Sequence, residues 1–186
     1  MGSAAPAMII GIPATNVKFV HFIRHGHAVS NEAYEIQGYS AYREEKWFDA
    51  VLTAKGEGQA RSVGINSFSS LLDIELVVVS PLSRAILTAC ICMEQVKDTV
   101  ASNPNICSTF GPNSKILPRC VISDMCREKI GVNPCDRRRS IDEVKSLYGS
   151  KLNAIFPGSF TFEHVSTNED TAWTPTFREP KEDIKQ

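Results

Sequence analysis

The sequence predicts an α/β fold built on a mainly parallel sheet, and three observations carry that prediction. The runs at 17–23 and 75–80 are almost continuously apolar, as strands buried on both faces of a parallel sheet are. Stretches with apolar residues at helical spacing follow them, and strands alternating with helices define this class. A chain of 186 residues can bury one sizeable core and leaves little room for a second.

Residues 1–16 read as a flexible lead-in and 17–186 as the domain. The lead-in, MGSAAPAMIIGIPATN, has no basic stretch before its short apolar patch, unlike a signal peptide. Its Met-Gly opening suits myristoylation, but Pro6 stands where that motif wants Ser or Thr. Val17 to Ile23 is the first expected strand. Thr53 is placed to cap a helix running to about Leu72, with Ala60, Val63, Ser67 or Phe68, and Leu71 on its apolar face. ELVVVS, residues 75–80, is the second buried strand. Ser80 as a cap and Pro81 at the first helical position predict the next helix, whose apolar stripe is Leu82, Ile86, Ala89, Met93 and Val96.

Residues 98–114, rich in Asn, Pro, Ser and Gly, read as a loop. A third strand is expected in KILPRCVI, where Pro118 suggests an edge or an irregular end. SIDE, residues 140–143, matches a capping box and opens a short helix toward Tyr148. Beyond Ala154 the chain reads as irregular, ending in a charged, helix-compatible tail.

The bulk numbers exclude several functions. Hydrophobic residues make up 42% and charged residues 22%, a soluble globular composition. A net charge of -1 gives no global attraction to nucleic acid or to an anionic membrane, so neither is expected as a partner. No run is long enough to span a bilayer. The six cysteines (Cys90, Cys92, Cys107, Cys120, Cys126, Cys135) contain no CxxC pair and read as reduced thiols, Cys90 and Cys92 as core. A cytoplasmic protein is expected.

In open α/β sheets ligands sit beyond the carboxyl ends of the strands. One such end carries Arg24, His25, Gly26, His27 and Asn31 within RHGHAVSN, and the other carries Ser80, Pro81 and Arg84. A cation in the first turn of a helix opposes the macrodipole by roughly 0.3–1 kcal/mol. An anion held between that turn and Arg84 reverses the penalty, and phosphate fits the arginine fork. The bland alternative makes His25 a polar turn residue. His25-x-His27 also matches the HxH of zinc hydrolases, but AVSNEA supplies no Asp-His pair, and Cys126 and Cys135 are poorly spaced for a shared zinc. No metal is therefore expected. His21, inside the first strand, reads as a satisfied core histidine.

RHG with Asn31 at the fifth position after Gly26, LTAKGEGQA at 52–60 and SPLSRAILTA at 80–89 resemble the histidine phosphatase superfamily, also called phosphoglycerate mutase-like. CREKIGVNPCDRRRS at 126–140 and NEDTAW at 168–173 are closest to its phosphoglycerate mutase-like phosphatase branch. The resemblance covers roughly residues 17–180. It implies a three-layer sandwich and hydrolysis of a phosphomonoester, a small phosphorylated metabolite or a phosphoprotein, with mutase activity the less expected outcome. His25 is then the nucleophile that becomes a phosphohistidine. Arg24 and Arg84 neutralise the equatorial oxygens. Asn31 lines the phosphate pocket, and Glu128 protonates the leaving oxygen and then activates water. No cofactor is implied.

Plainer readings stand beside these. Glu128 could be a solvated carboxylate paired with Arg127 or Lys129. Arg137, Arg138 and Arg139 either select an acidic substrate or form a solvated surface. His27 reads as a pocket wall. A complete member of the family also has a second essential histidine, well after the NEDTAW block. His164 precedes that block and does not match it. The expectation is therefore a family member incomplete at its C-terminus, weak or inactive. The alternative to an enzyme is a non-catalytic phosphate-ligand binding or interaction module.

Overall fold

A computed structural model describes residues 18–67, 71, 74–103, 118–165 and 167–180. Its sheet has three parallel strands, β1 (Leu76–Val79), β2 (Arg119–Ser123) and β3 (Phe160–Glu163), in the order β1-β2-β3. Val78 lies opposite Val121, and Ile122 opposite Phe162. The helices are α1 (Val29–Gln37), α2 (Ala54–Asn66), α3 (Ser83–Ser102) and α4 (Ile141–Ile155). Helices packed on a parallel sheet give the expected α/β class.

The main core lies between α3, α4 and the sheet. Ile86, Cys90, Met93 and Val96 of α3 meet Val79, Cys120 and Ile122 of the strands and Val144, Leu152, Ile155 and Phe156 from α4 and its end. Each fully buried aliphatic side chain there contributes about 1.5–3 kcal/mol. No helix among the described residues is long and apolar enough to cross a membrane.

Local signals set several boundaries. The Thr53 hydroxyl accepts from Gly56 N–H at 3.1 Å and opens α2, which ends at Asn66, short of the expected Leu72. Ser140 and Glu143 close both bonds of the capping box, and α4 continues past Tyr148 to Ile155 because Leu152 and Ile155 extend its buried face. α3 begins differently from expectation. Ser80 does not cap it; the Asp49 carboxylate accepts from Ser83 N–H at 2.8 Å and from the Ser83 hydroxyl. The helix starts at Ser83 with Leu82 as its N-cap.

Other expectations are corrected. Residues 98–102 belong to α3, since Val100 is buried and continues the stripe begun by Val96; residues 104–114 lie outside the described set. β2 starts just after Pro118 yet is the central strand, not an edge. FTFE, expected in an irregular region, is β3, with Phe160 and Phe162 packed on the core and Thr161 exposed. β1 is buried on one face only, with Leu76 and Val78 about half exposed. Residues 18–27 form no ladder among the described residues, and Phe19, Val20 and Phe22 are 84%, 70% and 94% exposed. His21 is exposed on that segment rather than satisfied in a core. The lead-in, Val17, Cys107 and the last six residues of the tail fall outside the described residues.

Candidate active site

Backbone contact with α2 and α3 fixes the loop that carries His25. A Cβ added at Gly26 would lie 2.4 Å from Gly56 O, and one at Gly56 would lie 2.1 Å from His27 O. Only glycines permit that approach of loop to helix. Gly26 N–H donates to Thr88 Oγ1 at 3.0 Å, and His27 N–H to Gln59 Oε1 at 2.8 Å. Thr53 N–H returns a bond to His27 O at 2.9 Å. Thr88 in turn donates to Arg84 O at 2.7 Å, so one residue of α3 ties both cationic elements together.

His25 is almost enclosed, with 8% of its side chain exposed. Its Nδ1 lies 2.7 Å from Gly26 O. A carbonyl only accepts, so Nδ1 carries the proton and Nε2 faces outward. Nε2 sits 2.8 Å from Glu128 Oε1. The other carboxylate oxygen, Oε2, accepts from Arg84 Nη2 at 3.2 Å. Arg84 is buried; it also donates from Nη1 to Cys135 O at 2.6 Å and from Nη2 to Asp136 Oδ1 at 3.1 Å. Asp136 is held by Arg178 Nη1 and Asn133 Nδ2.

The electrostatics follow from this arrangement. The hydrogen bond from His25, helped by the charge of Arg84 and opposed by burial, lowers Glu128 to a pKa of about 2. Burial works against the charge on Arg84, but Glu128 and Asp136 outweigh it and hold its pKa above the ordinary value. Burial pushes the neighbouring Cys135 thiol up to about 12, so it is no nucleophile here.

The remaining expected residues are distributed around this centre. Asn31 Oδ1 accepts from Ala28 N–H at 2.9 Å, and its Nδ2 donates to the Tyr42 hydroxyl at 3.1 Å. Arg24 is exposed and has no hydrogen-bond or ion-pair partner among the described residues. It lines a cavity of about 490 Å³ with His21, Ile23, Val63 and Leu71. Both ring nitrogens of His27 have partners, Thr53 Oγ1 at 2.9 Å and Glu35 Oε1 at 3.1 Å, so the ring ties α1 to the start of α2.

The arginine run is bound into the structure. Arg138 donates to the carbonyls of Thr167, Asn168 and Glu169, and to Asp124. Arg137 stacks on Phe48 at 4.3 Å and Trp173 at 4.9 Å and pairs with Glu45. Arg139 stands beside Asp49 and Glu143. Arg127 pairs with Asp170, leaving Glu128 to His25 and Arg84. His164 is exposed, at φ 54° just past β3.

The site thus draws on a loop after residue 23, the first turn of α3 and the loop after β2. A family model described as the histidine phosphatase superfamily (branch 1) matches residues 20–108, which include His25 and Arg84. Over 182 aligned residues, 92% of this chain, the sequence is 32% identical to an Arabidopsis thaliana protein named phosphoglycerate mutase-like protein. The matched segment and this relative support membership of the histidine phosphatase superfamily. A second Arabidopsis thaliana relative, phosphoglycerate mutase-like protein 1, is also 32% identical over 92% of the chain. A probable phosphoglycerate mutase of Arthroderma benhamiae is 27% identical over 91%. The chain spans 64%, 61% and 49% of these three relatives, under two thirds of the length of each.

Sequence reasoning missed the residues that hold this site together. Thr88, Gln59, Asp136 and the Cys135 carbonyl stand inside the motif blocks, but each acts on a partner at least 32 positions away, so the blocks alone give them no role.

Proposed function

We propose that this chain is a phosphomonoesterase that works through a phosphohistidine at His25. The observation that carries the reading is one carboxylate spanning His25 Nε2 and Arg84, since a group of two negative oxygens already fits where a phosphoryl group would lie. With Nδ1–H held by Gly26 O, the lone pair for attack is on Nε2. Nε2 bonds to phosphorus as the bond to the leaving oxygen breaks, and Glu128 supplies that oxygen with a proton. Water then attacks phosphorus, the N–P bond breaks, and the water proton passes to Glu128.

Arg84 stabilises the charge on the equatorial oxygens in both steps, with Asp136 and the Cys135 carbonyl keeping its fork in place. Arg24 and Asn31 are assigned to the remaining phosphate oxygens, which for Arg24 requires its side chain to turn inward. The substrate is a small phosphorylated metabolite or a phosphoprotein. Free buried thiols at Cys90, Cys92, Cys120 and Cys135 fit a reducing cytoplasmic setting.

Vanadate, a tetrahedral analogue of phosphate, tests the seat. Arg84→Ala should weaken its binding by roughly 1.5–3 kcal/mol, the worth of a charge-assisted contact. Equal calorimetric affinities for the two proteins would remove Arg84 from the site.

A further inference from the structure

The Glu128 carboxylate lies where the proposed reaction needs the phosphoryl group. Oε1 is 2.8 Å from the nitrogen that must attack, and Oε2 is 3.2 Å from the guanidinium that must receive the phosphate oxygens. While it stays there, Nε2 has no free lone pair to offer and that edge of Arg84 is filled. Of the three side chains Glu128 has the most room to move: 51% of it is exposed, against 8% for His25 and 2% for Arg84. Its loop is clasped two residues further on. Ile130 N–H donates to Glu179 Oε2 at 3.1 Å, Glu179 N–H donates to Ile130 O at 3.0 Å, and Arg178 donates to Gly131 O at 2.9 Å. Displacement is therefore a rotation of one side chain and not an opening of the loop.

We propose that Glu128 is the site's resident anion, closing the phosphate seat between turnovers until an incoming phosphomonoester displaces it from His25 and Arg84. The proposal rests on the phosphate-seat reading above. Three charged or titratable groups bear on the seated carboxylate: His25 from the 18–27 segment, Arg84 from α3, and Asp136 from the turn at 134–136, which shares Arg84 with it. Seated between His25 and Arg84, Glu128 is held ionised. Swung aside next to a bound dianion, it has lost both partners and gained a like charge, and each change raises its proton affinity. Substrate binding then turns an anion into the acid that the leaving oxygen needs. The proton comes from solvent or from His25 Nε2, which must lose its own proton before attack.

Inorganic sulfate is the probe, because it is a tetrahedral dianion whose charge is fixed across the neutral and mildly acidic range. Titrated by calorimetry at constant ionic strength and neutral pH, Glu128→Gln should bind sulfate at least about tenfold more tightly than the natural chain, the usual scale for charge-assisted hydrogen bonds no longer broken on binding. The gap should narrow as pH falls, because the displaced Glu128 of the natural chain then takes a proton. Turnover should drop by about 10²–10⁴, the share of a general acid. Glu128→Asp keeps the charge but is one methylene short of spanning both partners, so its sulfate affinity should fall between the two. It carries the same test if the Gln variant does not fold. Equal or weaker sulfate binding by a folded Glu128→Gln, with Arg84→Ala still weakening binding, would overturn the resident-anion proposal and leave the seat standing. No sulfate binding by any of these proteins would remove the seat and the proposal together.

Discussion

Arg84 and His25 face the same carboxylate, but one stands on a packed helix and the other on a segment lying largely in solvent. α3 drives Ile86, Cys90 and Met93 into the core, and Cys135 O and Asp136 fix the guanidinium at its first turn. The segment from residue 18 to 24 presents Phe19, Val20 and Phe22 to water. One fastening is an ion pair between exposed side chains, Lys18 and Glu75, at its start. At its end, among the described residues, stand the Gly26–Gly56 approach and the backbone bonds to Thr88, Gln59 and Thr53. Among the described residues, His25 is thus placed by its glycine loop and not by a strand. Arg84 is placed by the core and by its buried pair with Asp136, and Glu128 is held by His25 and Arg84.

That contrast is a set of stability differences. The largest effect is expected where α4's approach and the 167–180 segment are joined by the buried Arg127–Asp170 pair, whose side chains are 1% and 4% exposed. Asp170→Ala leaves Arg127 buried without its main partner and should cost about 3–5 kcal/mol in urea unfolding. Ile86→Ala on α3 should cost about 2–5 kcal/mol, through lost transfer energy plus the cavity left behind. Phe22→Ala, at the other extreme, should stay within about 0.5 kcal/mol of the natural chain. A loss at Phe22 matching that at Ile86 would show that the two regions are not held so differently.

Asp49 adds a pH dependence on the packed side. Burial outweighs its bonds from Ser83 and the charge of Arg139, raising its pKa to about 6. In the unfolded chain it titrates near its ordinary value of 3.8. Between those values the folded chain holds more protons than the unfolded one, so stability falls as pH rises through the window. The change should be about 3 kcal/mol on the scale of 1.36 kcal/mol per pKa unit, and Asp49→Asn should flatten it. Glu128 acts in the opposite sense and lower, since its pKa in the folded chain is depressed to about 2. Its contribution is present above the ordinary carboxylate range and fades as pH falls toward that value. Melting curves across the acid range separate the two.

Much of the packed region was legible because its signals are local. SIDE shows both halves of the α4 capping box within four residues, Thr53 precedes the helix it caps, and the stripe from Leu82 to Val96 repeats at helical spacing. The start of α3 was misread because Ser80-Pro81 mimics a cap, while the actual capping group, Asp49, lies 34 residues earlier. Arg137–Arg139 resembled a solvated run because their carbonyl, carboxylate and aromatic partners come from 45–49 and 167–173. The apolar run before Arg24 predicted a strand, but a strand also needs a neighbour to complete its ladder. The motif blocks named His25, Arg84 and Glu128 from three distant places in the chain, and the fold brings those three together. Asn31 and Arg24, named by the same blocks, are turned to other surroundings.

The central claim is that His25 Nε2 takes a phosphoryl group, and rapid-quench labelling with radiolabelled p-nitrophenyl phosphate tests it most directly. The account predicts acid-labile, base-stable label on His25, formed before product release and absent from His25→Asn, which keeps a polar side chain but lacks the ring. Label on a serine, or turnover in His25→Asn equal to that of the natural chain, would contradict it.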